Sequence, residues 1–190
     1  MPRKGQTAFS VTFMQSSDTS AMMADEFIKG AEEAGHEIFR FDAAFKSIHP
    51  CIGCMKCQTG DKVCVFKDDM QELNPHLLDA DLIVLVSPIY YFDVNGQMKV
   101  TIDRFFANNM ALYEATKKFA LITTMSDPVF AAEGANTTFK LIADLYKWDV
   151  AGIINAENSG DVEALKKTDY LQKAYEFGKY NLEKPQSIIN

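Results

Sequence analysis

Five consecutive apolar residues, Leu-Ile-Val-Leu-Val at positions 82–86, restrict the possible folds of this 190-residue chain more than any other segment. A strand with one face in water would alternate apolar and polar residues, whereas this run is apolar throughout. Such runs are typical of parallel sheets that are covered by helices on both faces. The segment therefore predicts an α/β protein in which residues 82–86 form a central, fully buried strand.

The segments on either side of this run alternate between strand and helix patterns. Strands are predicted at 7–14, 37–41, 82–86, 119–123 and 150–154, and helices at 21–34, 68–73, 76–80, 96–108, 137–145 and 161–179. The break between the second and third helices is placed at Asn74-Pro75, with Asn74 as the N-cap. The chain length indicates one domain over residues 1–190, with a cysteine-rich insertion at about 50–66 and a loose tail from about 183.

The charge balance and the hydropathy exclude several kinds of partner. The net charge is −7, which disfavours nucleic acid and anionic membranes, because both attract basic surfaces. No run of eighteen apolar residues is present, so no membrane span is predicted, and the first residues lack an apolar signal core. We therefore expect a cytoplasmic protein.

All four cysteines lie close together, with the spacing C-x2-C-x2-C-x6-C. Thiolates at this density suit an iron–sulfur cluster or a tetrahedral zinc ion. Disulfides would require an oxidising compartment. A dithiol redox switch remains open, since two C-x-x-C steps overlap, and so does a set of buried, unreactive thiols. The clustering favours a metal site on Cys51, Cys54, Cys57 and Cys64.

Three loops are expected at the carboxyl ends of the strands, where open α/β sheets bind ligands. The first, rich in hydroxyl groups, either binds a phosphate or caps the following helix. The second carries consecutive aromatic residues, which either flank a flat ring or pack against a helix or a second subunit. The third offers a polar turn to the edge of a heterocycle. The candidate residues are Ser16, Ser17, Thr19 and Ser20, then Pro88, Ile89, Tyr90, Tyr91 and Phe92, then Thr124, Met125 and Ser126.

Several short motifs together resemble the NADPH-dependent FMN reductase and iron–sulfur flavoprotein family. They are the cysteine motif, Asp68-Asp69-Met70, Ala80-Asp81, Ser87-Pro88-Ile89-Tyr90 and Lys99…Asp103-Arg104-Phe105, and the resemblance runs from about residue 21 to residue 161. It implies a flavodoxin-like three-layer sandwich with a five-stranded parallel sheet in the order 2-1-3-4-5. It also implies homodimers or homotetramers.

The same resemblance implies a role for each candidate residue. The hydroxyl-rich loop would hold the FMN phosphate, the aromatic loop would run beside the isoalloxazine, and the third loop would close its other side. Cys51, Cys54, Cys57 and Cys64 match the motif that ligates a 4Fe-4S cluster in the iron–sulfur members. One departure is that the phosphate loop lacks the family's glycine and arginine and carries Asp18 where asparagine is usual. A carboxylate near a phosphate lowers affinity unless its field is offset.

We therefore expect an FMN-dependent oxidoreductase or electron-transfer flavoprotein. Electrons would pass from NAD(P)H or another donor through FMN and a 4Fe-4S cluster, with a redox protein as a candidate partner. No side-chain acid or base is required, so no catalytic residue is predicted. The alternatives are a cluster-free NAD(P)H:FMN or quinone reductase, and a non-enzymatic flavodoxin-like module with a structural zinc.

Overall fold

The structure is a computed structural model, and it describes residues 7–12, 19–60 and 62–180. The strands are β1 (Thr7–Thr12), β2 (Glu37–Asp42), β3 (Leu82–Tyr90), β4 (Asp93–Val94), β5 (Lys118–Thr124) and β6 (Asp149–Ala156). The helices are α1 (Thr19–Glu33), α2 (Met70–Asp79), α3 (Gly96–Arg104), α4 (Asn109–Glu114), α5 (Glu133–Tyr146), α6 (Val162–Lys166) and α7 (Tyr170–Tyr180). Short 3₁₀ segments lie at Ala43–Phe45, Lys56–Gln58, Phe105–Asn108 and Val129–Ala132.

The strands form one sheet in the order β2-β1-β3-β5-β6, and each neighbouring pair in this series is parallel. The two-residue strand β4 pairs antiparallel with the end of β3, through Ile89 opposite Val94 and Tyr90 opposite Asp93. The sheet is therefore mixed, and β4 is an addition to the five parallel strands that were expected. Because the long strands are parallel, their carboxyl ends lie along a single edge.

Strand β3 is buried on both faces, as its apolar run predicted. Ile83 and Leu85 belong to one core, which α2, α3 and α5 complete. Leu82, Val84 and Val86 belong to a second core, which α1 and α7 cover. All five residues are at most 4% exposed. The alternation of side chains along a strand thus distributes this run between the two helical layers of a three-layer sandwich.

Helices α1 and α7 approach each other closely through two glycines. A Cβ added at Gly178 would lie 2.1 Å from the carbonyl oxygen of Phe27, and one at Gly30 would lie 2.1 Å from the carbonyl oxygen of Tyr175. Both helices therefore pack backbone against backbone at these positions, because glycine has no side chain to separate them. None of the helices in the described part of the chain is long and apolar enough to cross a membrane.

Several predicted boundaries are wrong, and three of them change the description of an element. Helix α2 is continuous and contains Pro75, so Asn74 is not an N-cap; its Oδ1 instead accepts a hydrogen bond from Asn108 Nδ2 at 2.8 Å. Strand β3 continues to Tyr90, beyond the predicted end at residue 86. The predicted helix at 161–179 is two helices, α6 and α7.

Candidate functional site

The carboxyl edge of the sheet carries the predicted ligand loops. Thr19 and Ser20 are the first residues of α1 and are 4% and 0% exposed. Ser16 and Ser17 lie outside the described residues, so only the helical half of the predicted phosphate loop is described. The backbone N–H groups at the first turn of a helix carry positive partial charge, which suits an anion.

The aromatic segment is a tight turn rather than an open loop. Pro88, Ile89 and Tyr90 are the last residues of β3, and Tyr91 and Phe92 form the two-residue connection to β4. The φ values of Tyr91 and Phe92 are 50° and 69°, so both residues occupy the left-handed region that a type I′ hairpin requires. The Tyr91 side chain is 99% exposed as a result. The turn therefore presents a ring to solvent at the cost of backbone strain.

The second and third loops are in direct contact. Ile89 packs against a small core of Met125, Ala131 and Ala132, just beyond the end of β5. The rings of Phe92 and Phe130 lie 6.3 Å apart between centroids. Phe130 was missed because the third loop was predicted only as a polar turn at residues 124–126, although Val129-Phe130 is an apolar pair shortly after that turn. Phe92 and Phe130 thus extend the aromatic surface across both loops.

The loop after β6 holds the third loop in place. Thr124 and Met125 are buried, and Ser126 is exposed. The backbone N–H of Ser159 donates to the carbonyl of Met125 at 2.8 Å, and Glu157 Oε2 accepts from the N–H of Val129 at 2.8 Å. Ser126 itself is exposed, and its Oγ lies directly against Gly160 in the loop after β6.

The four cysteines surround one cavity. All are free thiols, and Cys51, Cys54, Cys57 and Cys64 line it together with apolar side chains, including Phe106. Gly53 and Met55 have positive φ values of 64° and 60°, so the chain reverses direction between successive cysteines. These reversals keep the first three thiols on the same cavity.

The cavity has a volume of about 20 Å³, and within the described ranges no group of three or more His, Cys, Asp or Glu side chains is arranged to hold a metal ion. The chemistry of the donor set is nevertheless that of an iron–sulfur or zinc site, because all four polar groups are soft sulfur ligands and the remaining lining is apolar. The residues therefore fit such a group by their chemistry, and not by the present orientation of their side chains.

A buried ion pair joins the cysteine loop to helix α3. Arg104 Nη1 and Nη2 donate to the two carboxylate oxygens of Asp68 at 2.6 and 3.1 Å, and both side chains are 2% exposed. Arg104 Nη1 also donates to the carbonyl oxygen of His49 at 2.7 Å, and the guanidinium lies 5.2 Å from the centroid of the Phe66 ring. Arg104 therefore binds residues on both sides of the four cysteines.

The ion pair strongly shifts the acidity of Asp68. Burial alone would raise the pKa of this carboxyl, but hydrogen bonds from Arg104 and from the N–H of His49 outweigh burial and lower the pKa to about 2. Burial alone would lower the pKa of Arg104. Asp68 and the sulfur of Cys64 outweigh burial and raise this pKa above its ordinary value. The pair is therefore charged across the physiological range.

His49 contacts Asp68 through its backbone and through its imidazole ring, whose Nδ1 lies 3.4 Å from Asp68 Oδ2. Its N–H donates to Asp68 Oδ2 at 3.0 Å, and its ring stacks on Phe66 with the centroids 4.8 Å apart and the planes 6° from parallel. From the sequence, no role was assigned to His49 or to Arg104. The signal available was the Asp103-Arg104 pair among the family-like motifs, which by itself does not reveal that Arg104 reaches the cysteine loop.

The fold and the ligand edge define the class of flavodoxin-like α/β proteins. A flavone reductase superposes with a TM-score of 0.70 at 16% identity, covering 91% of this chain and 60% of that chain. An NAD(P)H:quinone oxidoreductase from Methanothermobacter marburgensis superposes with a TM-score of 0.66 at 13% identity, covering 95% of this chain and 99% of that chain. At these identities the similarity establishes the fold alone.

The model of the NADPH-dependent FMN reductase family matches residues 15–156, and the chain belongs to that family. The resemblance seen in the sequence is thereby confirmed. An iron–sulfur flavoprotein of Archaeoglobus fulgidus is 38% identical over 85 residues, which are 45% of this chain and 38% of that protein. Iron–sulfur flavoprotein MJ0731 of Methanocaldococcus jannaschii is 36% identical over 73 residues, 38% of this chain and 37% of that protein. The match thus spans less than two fifths of the length of either relative.

Proposed function

We propose that the chain is an FMN-dependent oxidoreductase that moves electrons from NAD(P)H or another donor to an acceptor, with a 4Fe-4S cluster on its four cysteines. The observation that carries this proposal is the convergence of four free thiols on one cavity in a member of the FMN reductase family. The relatives described as iron–sulfur flavoproteins support the same reading.

The chain's own residues would bind and orient the flavin at the carboxyl edge. Thr19 and Ser20 at the start of α1, together with Ser16 and Ser17 before it in the sequence, would hold the phosphate through hydroxyl and backbone N–H groups. The turn at Tyr91 and Phe92 would cover one side of the ring system, and the backbone of 124–126 would contact its polar edge. Bound FMN supplies both one-electron and two-electron chemistry.

The cysteine loop would hold the cluster by four Cys thiolates. Soft sulfur ligands and an apolar lining that includes Val65, Phe66 and Phe106 suit iron–sulfur ligation. Cys51 and Cys54 are exposed, while Cys57 and Cys64 are partly buried. The cluster would therefore be shielded on the side of Arg104 and accessible on the side of Cys51, from which a redox partner can receive an electron.

We further propose a single cytoplasmic domain that assembles as a homodimer or homotetramer. Exposed apolar side chains support an assembly: Leu141 and Leu145 on α5 are 63% and 52% exposed, and Met110 on α4 is 63% exposed. A groove of about 430 Å³ adjoins this region and reaches Cys51. Light scattering of the purified protein tests the assembly, and a monomer at micromolar concentration would contradict it.

The test is an absorbance spectrum with iron, zinc and acid-labile sulfide assays on anaerobically purified protein. We expect flavin bands, a broad sulfide-to-iron shoulder and about four irons per chain. Cys57→Ser should lose most of the iron and keep the flavin, whereas Met55→Leu in the same loop should keep both. A colourless protein that does not bind added FMN would contradict the proposal.

A cluster-free reductase is the second candidate. It is favoured by the finding that the thiol side chains, like the other potential ligands in the described ranges, are not arranged as a metal-binding group. The same experiment separates the two candidates, because this enzyme would show flavin bands without iron. Zinc without flavin would instead indicate a non-enzymatic module.

A further inference from the structure

We propose that Arg104 is the positioning residue of the cysteine loop: it ties the two ends of the loop together and directs an N–H toward Cys64, which makes the cluster easier to reduce. This inference rests on the proposed function, since it concerns the cluster that the four cysteines would hold. It assigns a role to a side chain on helix α3 that lies outside the cysteine motif.

The Arg104 side chain contacts residues on both sides of the cysteines. His49 precedes Cys51 by two residues, and its carbonyl oxygen accepts from Arg104. Asp68 follows Cys64 by four residues, and its carboxylate takes a two-pronged hydrogen bond from the same guanidinium. One buried, planar cation therefore fixes the separation of the two ends, which a lysine with a single ammonium group would do less specifically.

These three bonds use three of the five N–H donors of the guanidinium, and the Nε–H group is one of the other two. Among the described residues, Arg104 Nε has no hydrogen-bond partner, although it is buried. An unpaired buried N–H is costly, so such a group usually has a ligand or a partner in the functional state. Cys64 lies near the guanidinium: the Phe66 ring, two residues further along the chain, is 5.2 Å from it, and the charge of the Cys64 sulfur contributes to the raised pKa of Arg104. A Cys64 thiolate that ligates a cluster would give Nε the acceptor that it lacks.

The electrostatic consequence has a definite sign. A cluster that gains one electron gains one negative charge, and a nearby cation or an N–H directed at a ligand sulfur stabilises that state. Asp68 acts in the opposite direction, because its carboxylate is ionised beside the same site. Neutralising Arg104 should therefore lower the reduction potential of the cluster, and neutralising Asp68 should raise it.

The experiment is a dithionite titration of the anaerobically purified holoprotein, followed by electron paramagnetic resonance of the reduced cluster. We compare Arg104→Gln, Arg104→Lys and Asp68→Asn with Lys99→Gln. The control removes one positive charge from the same helix, at a side chain that is 50% exposed and paired with Asp103. For Arg104→Gln we expect at least a tenfold fall in the ratio of reduced to oxidised cluster at a fixed potential, which is about 59 mV for one electron.

The variants separate tuning from a merely structural role. Arg104→Lys should have a cluster reduction potential close to that of the unmodified protein. Asp68→Asn should have a higher reduction potential, and Lys99→Gln should leave it unchanged. If Arg104→Gln does not retain iron, the upward shift in Asp68→Asn carries the test. Equal potentials in the unmodified protein, Arg104→Gln and Asp68→Asn, or shifts of the same sign in these two variants, would overturn the inference and leave the proposed function intact.

A second measurement distinguishes failure of the inference from failure of the proposed function. Hydrogen exchange of residues 51–64 in the metal-free protein should be faster in Arg104→Gln than in Lys99→Gln. The hydrogen bonds of Arg104 to His49 and Asp68 form without the cluster, so their loss should loosen the loop even when no metal is bound. Unmodified protein that never binds iron would overturn both the proposed cluster and the tuning role. Unchanged exchange in Arg104→Gln would overturn the inference that Arg104 holds the two ends of the cysteine loop together.

Discussion

The carbonyl oxygen of Phe92 lies directly against Gly134, where an added Cβ would be 2.3 Å away. The backbone N–H of Ala135, one residue further along α5, donates to the same oxygen at 3.3 Å. The first turn of α5 thus supports the aromatic turn between β3 and β4 from behind. Any side chain at position 134 must displace that turn.

Gly134→Ala should therefore weaken flavin binding. We expect FMN affinity to fall about tenfold, about 1.4 kcal/mol, because the methyl group pushes Phe92 and Tyr91 away from their positions. Fluorescence titration of the apoprotein with FMN measures this. Gly96→Ala is the matched control, since a Cβ there meets no atom within 4 Å. Equal affinities of the two variants would contradict the prediction.

Tyr91→Asn should stabilise the fold and weaken flavin binding at the same time. Asparagine tolerates the left-handed backbone better than tyrosine, so the variant should gain about 0.5–1 kcal/mol, measured as a higher Tm. Tyr90→Asn is the control, because Tyr90 lies on β3 and is not among the residues with positive φ. A Tm no higher for Tyr91→Asn than for Tyr90→Asn would argue against strain at this turn.

The Asp68–Arg104 pair predicts a loss of stability in acid. The pKa of Asp68 is about 2 in the folded protein, below its ordinary value of 3.8. The folded state therefore binds fewer protons, so this contribution is complete above pH 3.8 and is lost as the pH falls through about 2. This shift in the pKa of Asp68 corresponds to about 2 kcal/mol in the free energy of unfolding.

Urea unfolding of the metal-free protein between pH 5 and pH 2 measures this contribution. Asp68→Asn should be less stable at pH 5, because it leaves Arg104 buried without a counter-charge. The difference in the free energy of unfolding between the unmodified protein and Asp68→Asn should shrink by about 2 kcal/mol toward pH 2. A constant difference across the range would show that Asp68 does not titrate as inferred.

Gly178→Ala should destabilise the contact between α1 and α7. The added methyl group would overlap the carbonyl oxygen of Phe27, and overpacking of this kind costs about 1–3 kcal/mol. Gln172→Ala on the exposed side of α7 should change stability by less than about 0.5 kcal/mol. Denaturant unfolding compares the two, and similar midpoints would contradict the close approach of the helices.

The sequence predicted the fold where local signals were strong. Residues 82–86 are apolar throughout, and burial on both faces follows from that pattern alone. Pro75 was interpreted as a helix break by its local chemistry. Leu73 and Leu77 on either side of it are both 0% exposed, and their packing in the same core holds α2 together across the proline. Tertiary packing therefore overrode the local rule.

The site was predicted less completely because its contacts join distant segments. The end of β3 was taken for a loop, since neither its pairing with β5 as far as Pro88 nor its pairing with β4 is visible from local composition. Arg104 and Asp68 are 36 residues apart, and nothing in their immediate neighbours indicates that they meet. The cysteines were recognisable because their spacing alone carries the chemistry.

The anchoring of both ends of the cysteine loop affects how tightly it can bind a metal. Residues between His49 and Asp68 start and finish on one guanidinium, so the loop is closed before any ligand arrives. Loop-closure entropy is then lost when the protein folds and not when the metal binds. A loop prepared in this way should capture iron faster and release it more slowly than the same cysteines on an open chain, because less of the binding energy is spent on ordering.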